Sequence, residues 1–183
     1  MASLGRQQIV QRLVEEHYEA LYRYAYRLSG SSADAEDLTQ DAFCKAQMKL
    51  DQLRDPCRVK PWLFSIVRNA FLHRIRDRRQ EGAVSLDGIG DVAEPPPGPL
   101  PEVEPEQLQK ALNIMPEPYR TPLILYYFDG FSYRDIAEQM DLPIGTVMSR
   151  LSRAKSFLRT RLAPQGTLAA DGTVRCSGER QGV

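Results

Sequence analysis

The chain has 183 residues, enough for one or two small domains, and 42% of them are hydrophobic, which supports packed cores. Its formal net charge is zero, and Cys44, Cys57 and Cys176 with His17 and His73 fit neither a disulfide framework nor a metal cage, so no metal or cofactor is expected. No stretch approaches membrane-spanning length, and the N-terminus MASLGRQQIVQRL lacks a signal-peptide core, so the expected place is the cytoplasm.

In chain order, Ile9, Val10, Leu13, Val14, Tyr18, Leu21, Tyr22, Ala25 and Leu28 recur at helical spacing. Gly30-Ser31-Ser32 breaks that helix, and Ser32 or Asp34 can cap the next, which runs to about Leu50 through Leu38, Ala42, Phe43 and Ala46. Asp51 to Lys60 reads as a loop. Pro61 suits the first turn of a third helix carrying Trp62, Leu63, Ile66, Val67, Ala70, Phe71 and Ile75. These three helices predict a small bundle over residues 1–79.

Zero net charge conceals blocks. Arg58, Lys60, Arg68, Arg74, Arg76, Arg78 and Arg79 are followed by a stretch with no Lys or Arg from Gln80 to Gln109. Within it, residues 80–105 are acidic, dense in Gly and Pro, and free of aromatics, the composition of a flexible linker. Fully extended, such a linker reaches at most about 85 Å.

A second helical domain is expected over 106–163, with helices at Glu106 to Ile114 and Pro118 to Phe128. Ser132 can cap a short helix with Ile136, Ala137 and Met140 on one face. Asp141-Leu142-Pro143 makes a turn, and a last helix buries Val147, Leu151, Ala154 and Leu158. Its other faces carry Thr146, Ser149, Arg150, Arg153 and Lys155. That is a helix-turn-helix whose second helix is polar and basic where a major groove would lie. A helical hairpin with a solvated basic face is the plainer alternative. Residues 164–183 are polar and Gly-rich, as in a disordered tail.

Four segments, in order, carry a resemblance to a known family: DAEDLTQDAF (Asp34 to Phe43), WLFSIVRNAFLHRIRDRR (Trp62 to Arg79), LNIMPEPYRTPLILYYFDGFSYRDIAEQM (Leu112 to Met140) and PIGTVMSRLSRAK (Pro143 to Lys155). The chain resembles bacterial RNA polymerase sigma factors of the extracytoplasmic-function type. The resemblance implies an all-α protein of two small domains on a tether, a non-enzymatic initiation factor that binds core RNA polymerase and promoter DNA. By that match Asp34, Asp37, Leu38, Gln40 and Asp41 belong to the surface that docks on the clamp helices of the large subunit, with Leu38 more structural. The polymerase flap is a further implied contact. Residues Lys60, Trp62, Arg68, Asn69, His73 and Arg76 are assigned to melting and holding the minus-ten element. For Trp62 the alternative is core packing. Thr146, Ser149, Arg150 and Arg153 are assigned to the minus-35 element, with Lys155 beside them on phosphate. The acidic linker is implied to thread the polymerase cleft. An anti-sigma partner is compatible with this reading. A free-standing helix-turn-helix regulator would leave the acidic helix and the basic third helix unassigned, and a pure interaction module held by a partner protein predicts no promoter-dependent transcription.

Overall fold

The structure is a computed structural model that describes residues 2–53, 55–80 and 104–162, and the expected linker and tail lie almost wholly outside them. Seven helices follow one another, with no strand among the described residues: α1 (Ala2–Ser29), α2 (Ser32–Lys49), α3 (Val59–Gln80), α4 (Pro105–Ile114), α5 (Glu117–Tyr127), α6 (Tyr133–Met140) and α7 (Ile144–Leu162). The all-α expectation holds.

Local chemistry sets the boundaries. Gly30, at φ 73°, ends α1 in a conformation that costs glycine little. Ser31 then caps α2, its Oγ accepting from the Asp34 amide at 3.3 Å, one residue earlier than expected. The stretch expected as a loop contains two single 3-10 turns, Leu50–Gln52 and Pro56–Arg58, and α3 begins at Val59. Pro61 therefore sits inside the first turn, where its missing N–H is not needed. Ser132 and Asp135 form a reciprocal capping box at the start of α6. Asp141 ends α6 at φ 54°, ψ 53°; the Leu142 amide donates to the Ala137 carbonyl at 2.9 Å and that of Asp141 to Glu138 at 3.3 Å. This is a Schellman ending with aspartate at the position glycine usually takes.

Helices α1 to α3 pack around Leu21, Tyr24, Leu28, Leu38, Phe64 and Val67. Helices α4 to α7 pack around Leu112, Leu123, Ile124, Ile136, Val147 and Leu151. Each such side chain contributes about 1.5–3 kcal/mol when fully buried. Leu158, expected in the second core, is only partly buried; Ser156 takes the buried place on α7.

The two halves do not stand apart. Their cores merge into one apolar cluster. Tyr24 of α1, Phe64 of α3 and Phe131 ahead of α6 form an aromatic chain across the seam, with ring centroids 4.8 and 5.1 Å apart. Arg120 of α5 lies 5.3 Å over the Phe71 ring of α3. Gln109 of α4 donates to the carbonyls of Tyr26 and Arg27 at the C-terminal end of α1.

Candidate polymerase and nucleic-acid surfaces

Helix α2 presents an acidic row. Asp34, Asp37 and Asp41 recur at spacings of three and four, which places them on one face. All three lie within 3.3–3.7 Å of one guanidinium, that of Arg74 on α3. Arg78 adds a second contact to Asp34 at 3.0 Å. Asp37, Gln40 and Asp41 remain exposed, Asp34 is half-buried, and Leu38 is wholly buried in the core. Leu38 thus shapes the helix that carries the surface and offers nothing to a partner from outside. Arg74, which the sequence groups with the basic α3 residues, faces the acidic row. Only the three-dimensional neighbourhood of α2 and α3 reveals that role.

The six residues assigned to the minus-ten element fall into two groups. Trp62, Asn69, His73 and Arg76 run in one stripe along α3; Trp62 is half-buried and the other three are exposed. Trp62 and Asn69 line a cleft of about 490 Å³ with Ser65, Pro61 and the α6 residues Asp135, Glu138 and Gln139. Lys60 and Arg68 instead turn to the C-terminal half. The Lys60 Nζ donates to the Asp129 carbonyl at 2.6 Å and stands 5.0 Å from the Phe131 ring centroid. Arg68 Nε lies 3.7 Å from a Glu117 carboxylate oxygen, with both side chains largely buried. Beside them Arg58 Nη2 donates to Glu138 at 2.5 Å. Arg58 and Glu138 are seam residues that sequence reasoning missed, since each reads alone as a solvated charge.

The electrostatics of the seam are uneven. Burial pushes the Asp129 carboxyl up to about 6, against the pull of Arg27, Lys60 and Arg23. Burial also raises the Tyr24 phenol and lowers the Arg120 guanidinium. The Arg58 hydrogen bond holds the Glu138 carboxyl below its ordinary range. Buried side-chain atoms without a hydrogen-bond partner include Tyr24 Oη, Arg68 Nε, Asp129 Oδ2 and both amide atoms of Gln139. All of these lie along the seam.

Helices α6 and α7 form the helix-turn-helix. On α7, Thr146, Ser149, Arg150 and Arg153 follow at spacings of three, one and three, a single helical face. Ser149, Arg153 and Lys155 are exposed, while Thr146 and Arg150 are half-buried. Ile144 and Met148, 47% and 52% exposed, add apolar surface to the start of the same helix. Such side chains suit a thymine methyl group. Polar and basic groups on the exposed first half of a second helix can hydrogen-bond to base edges and phosphates in a major groove.

Comparison with known proteins agrees with this geometry. Residues 13–81 match the family model for sigma-70 region 2, and residues 105–158 match that for sigma-70 region 4. The first covers α1 from Leu13 through α3, and the second begins where α4 begins. The chain is 34% identical to the ECF RNA polymerase sigma factor EcfG of Rhodopseudomonas palustris, over 85% of this chain and 87% of that one. It is 33% identical to the ECF RNA polymerase sigma factor SigE of Mycolicibacterium smegmatis, over 86% of this chain and 63% of the longer relative. Among solved structures, the sigma factor RpoE in complex with the anti-sigma factor NepR from Bartonella quintana superposes with a TM-score of 0.70. It is 34% identical, over 85% of this chain and 97% of that one. CnrH in complex with the cytosolic domain of CnrY gives a TM-score of 0.63 at 25% identity, over 87% and 90% of the two chains. With both sigma-70 regions matched in order on helices that present an acidic face, a polar stripe with an aromatic at its head and a helix-turn-helix, the chain belongs to the ECF sigma factors of RNA polymerase.

Proposed function

We infer that the chain directs core RNA polymerase to promoters of two parts, reading a minus-35 element through α7 and opening a minus-ten element through α3. It is an initiation factor and not an enzyme; the chemistry of RNA synthesis belongs to the polymerase. The observation that carries the reading is the polar and basic face of α7 on a properly capped helix-turn-helix, joined to helices bearing an acidic row and the stripe of Trp62, Asn69, His73 and Arg76. A free-standing regulator would need only the former.

In this reading Asp37, Gln40 and Asp41, with Asp34 behind them, meet basic groups on the clamp helices of the large subunit. Trp62, Asn69, His73 and Arg76 hold opened bases and backbone, joined by Lys60 and Arg68 once these are released. Thr146, Ser149, Arg150 and Arg153 read base edges, and Lys155 binds phosphate, supplying affinity without sequence. The unit boundaries are 1–79 and 106–163, with the acidic linker between them. The flap of the polymerase and an anti-sigma factor are further partners. The last is supported by the RpoE relative, whose solved structure contains one. The place of action is the cytoplasm, where core polymerase is found; no described helix is long and apolar enough to cross a membrane.

Run-off transcription with purified core polymerase and a genomic promoter library tests the reading. The chain should select a set of promoters sharing one upstream motif. Arg150→Ala should lower selection at one position of that motif by about 1–3 kcal/mol, the worth of a bidentate base contact. Transcription independent of the added chain would refute the assignment.

A further inference from the structure

The acidic row of α2 already holds a cation from within the chain. Asp34 to Asp41 span about 10.5 Å of the helix, at about 1.5 Å per residue. One guanidinium, that of Arg74, meets all three carboxylates across that span: Asp34 at 3.3 Å, Asp37 at 3.6 Å and Asp41 at 3.7 Å. A single planar group cannot close on three acceptors so spread. Only the Asp34 contact reaches hydrogen-bonding range, and the other two are looser ion pairs. Arg78 brings a second cation to Asp34 at 3.0 Å.

The row keeps an open side. The side chains of Asp37 and Asp41 are 66% and 54% exposed, against 27% for Arg74. Arg74 reaches them from α3, and each still offers much of its surface to an approaching group. Ion pairs this exposed add little to stability. The shared guanidinium acts instead on the field of the row: a basic group that approaches meets carboxylates already partly neutralised.

We propose that Arg74 is a placeholder cation that sets the affinity and selectivity of docking on α2. A partner docks by exchange: its basic groups take Asp37 and Asp41 at full hydrogen-bond length, and Arg74 is left to Asp34. A lone basic group gains little from that exchange. Two or more, spaced along the helix as the carboxylates are, replace loose contacts by close ones. Arg74 is a positioning residue, acting on the partner through the carboxylates. The proposal rests on the reading of the acidic row as the polymerase-docking surface.

The test titrates the full chain, labelled with fluorescein at its N-terminus, with purified core RNA polymerase and follows anisotropy at several salt concentrations. Arg74→Gln, which removes the charge and keeps hydrogen-bonding groups, should bind about threefold more tightly at low salt, within the worth of an exposed ion pair. The gain should shrink as salt rises, since the screening length falls from about 30 Å at about 0.01 M to about 8 Å at about 0.15 M. Arg74→Lys, which restores the charge, should return to the parent affinity. Arg12→Gln, which removes the same charge from an exposed position on α1, should leave binding unchanged. A purely structural role predicts the opposite sign, a row left without support and weaker binding. Weaker or equal binding by Arg74→Gln overturns the proposal, as does an equal gain in Arg12→Gln or a gain that lysine fails to reverse. If Arg74→Gln does not fold, Arg78→Gln, on a side chain 64% exposed, should still gain about twofold. No gain there overturns the proposal. The double variant Asp37→Asn, Asp41→Asn separates the exchange from the reading beneath it. If that variant binds core polymerase as tightly as the parent, the row is not the docking surface and both ideas fail. If it binds more weakly while Arg74→Gln gains nothing, the exchange alone fails.

Discussion

At the residue scale, Asp129 shows how position decides chemistry. Its carbonyl is used by Lys60, but one carboxylate oxygen is buried without a partner, and burial raises the carboxyl to about 6. The folded value lies above the unfolded one, so the charged form costs stability in the folded state. That cost is absent below the unfolded value near 3.8, grows between 3.8 and about 6, and is complete above 6. Asp129→Asn should therefore stabilise the chain at pH 7, by on the order of 1 kcal/mol. The gain should shrink as the pH falls through 6, measured as denaturant midpoints across pH. A gain unchanged at pH 4.5 would contradict the assignment. Asp141 offers a second case. Its left-handed backbone was legible from the turn residues Asp141-Leu142-Pro143, because the short polar side chain tolerates that conformation. Asp141→Val should lose about 1–2 kcal/mol, and Asp141→Gly should lose nothing. Thermal melts monitored by helical circular dichroism would show both.

At the scale of the element, helix identity was readable because apolar spacing and capping residues agree along the chain. Ile136, Ala137 and Met140 are buried as their spacing requires, and Ser132 caps as its chemistry suggests. The stretch from Asp51 to Lys60 was harder to read. Its two single turns close through Leu53 N–H to the Leu50 carbonyl and Arg58 N–H to that of Asp55, bonds too local to leave a periodic pattern. Arg74 was misleading for another reason. A sequence shows a basic run, but not which member turns toward α2. Since Asp34, Asp37 and Asp41 converge on it, Arg74→Ala should leave three carboxylates with less opposing charge. With the pairs partly in solvent, the loss should stay within about 1 kcal/mol and be larger in dilute buffer than at high salt. Urea melts at two salt concentrations would test this. The variant should also leave the acidic row more available to a basic partner.

For the whole molecule, the sequence shows two regions of helical periodicity flanking an acidic Pro-rich stretch, while the described helices of both regions pack into one apolar cluster. How the units meet was not visible. Arg58 and Glu138 are 80 residues apart, and Lys60 and Asp129 are 69 apart. Each looks like ordinary solvated surface until the chain is folded. Raising the salt concentration should loosen the seam, because at about 1 M the screening length falls to about 3 Å. Small-angle scattering should then show a larger radius of gyration while helical content holds. A radius that stays fixed across salt would mean that the aromatic chain of Tyr24, Phe64 and Phe131 governs the seam, rather than its charges.

Trp62 is the chain's single tryptophan, and it stands in the wall of the cleft that α6 overhangs. Its indole emission therefore serves as a native gauge of how far the two halves have parted, with no dye attached. Parting brings water to the ring, so emission should move to longer wavelength as salt rises, and Glu138→Gln should begin nearer that end point. The one indole of the chain then records, in an unlabelled protein, how much water the cleft between α3 and α6 admits.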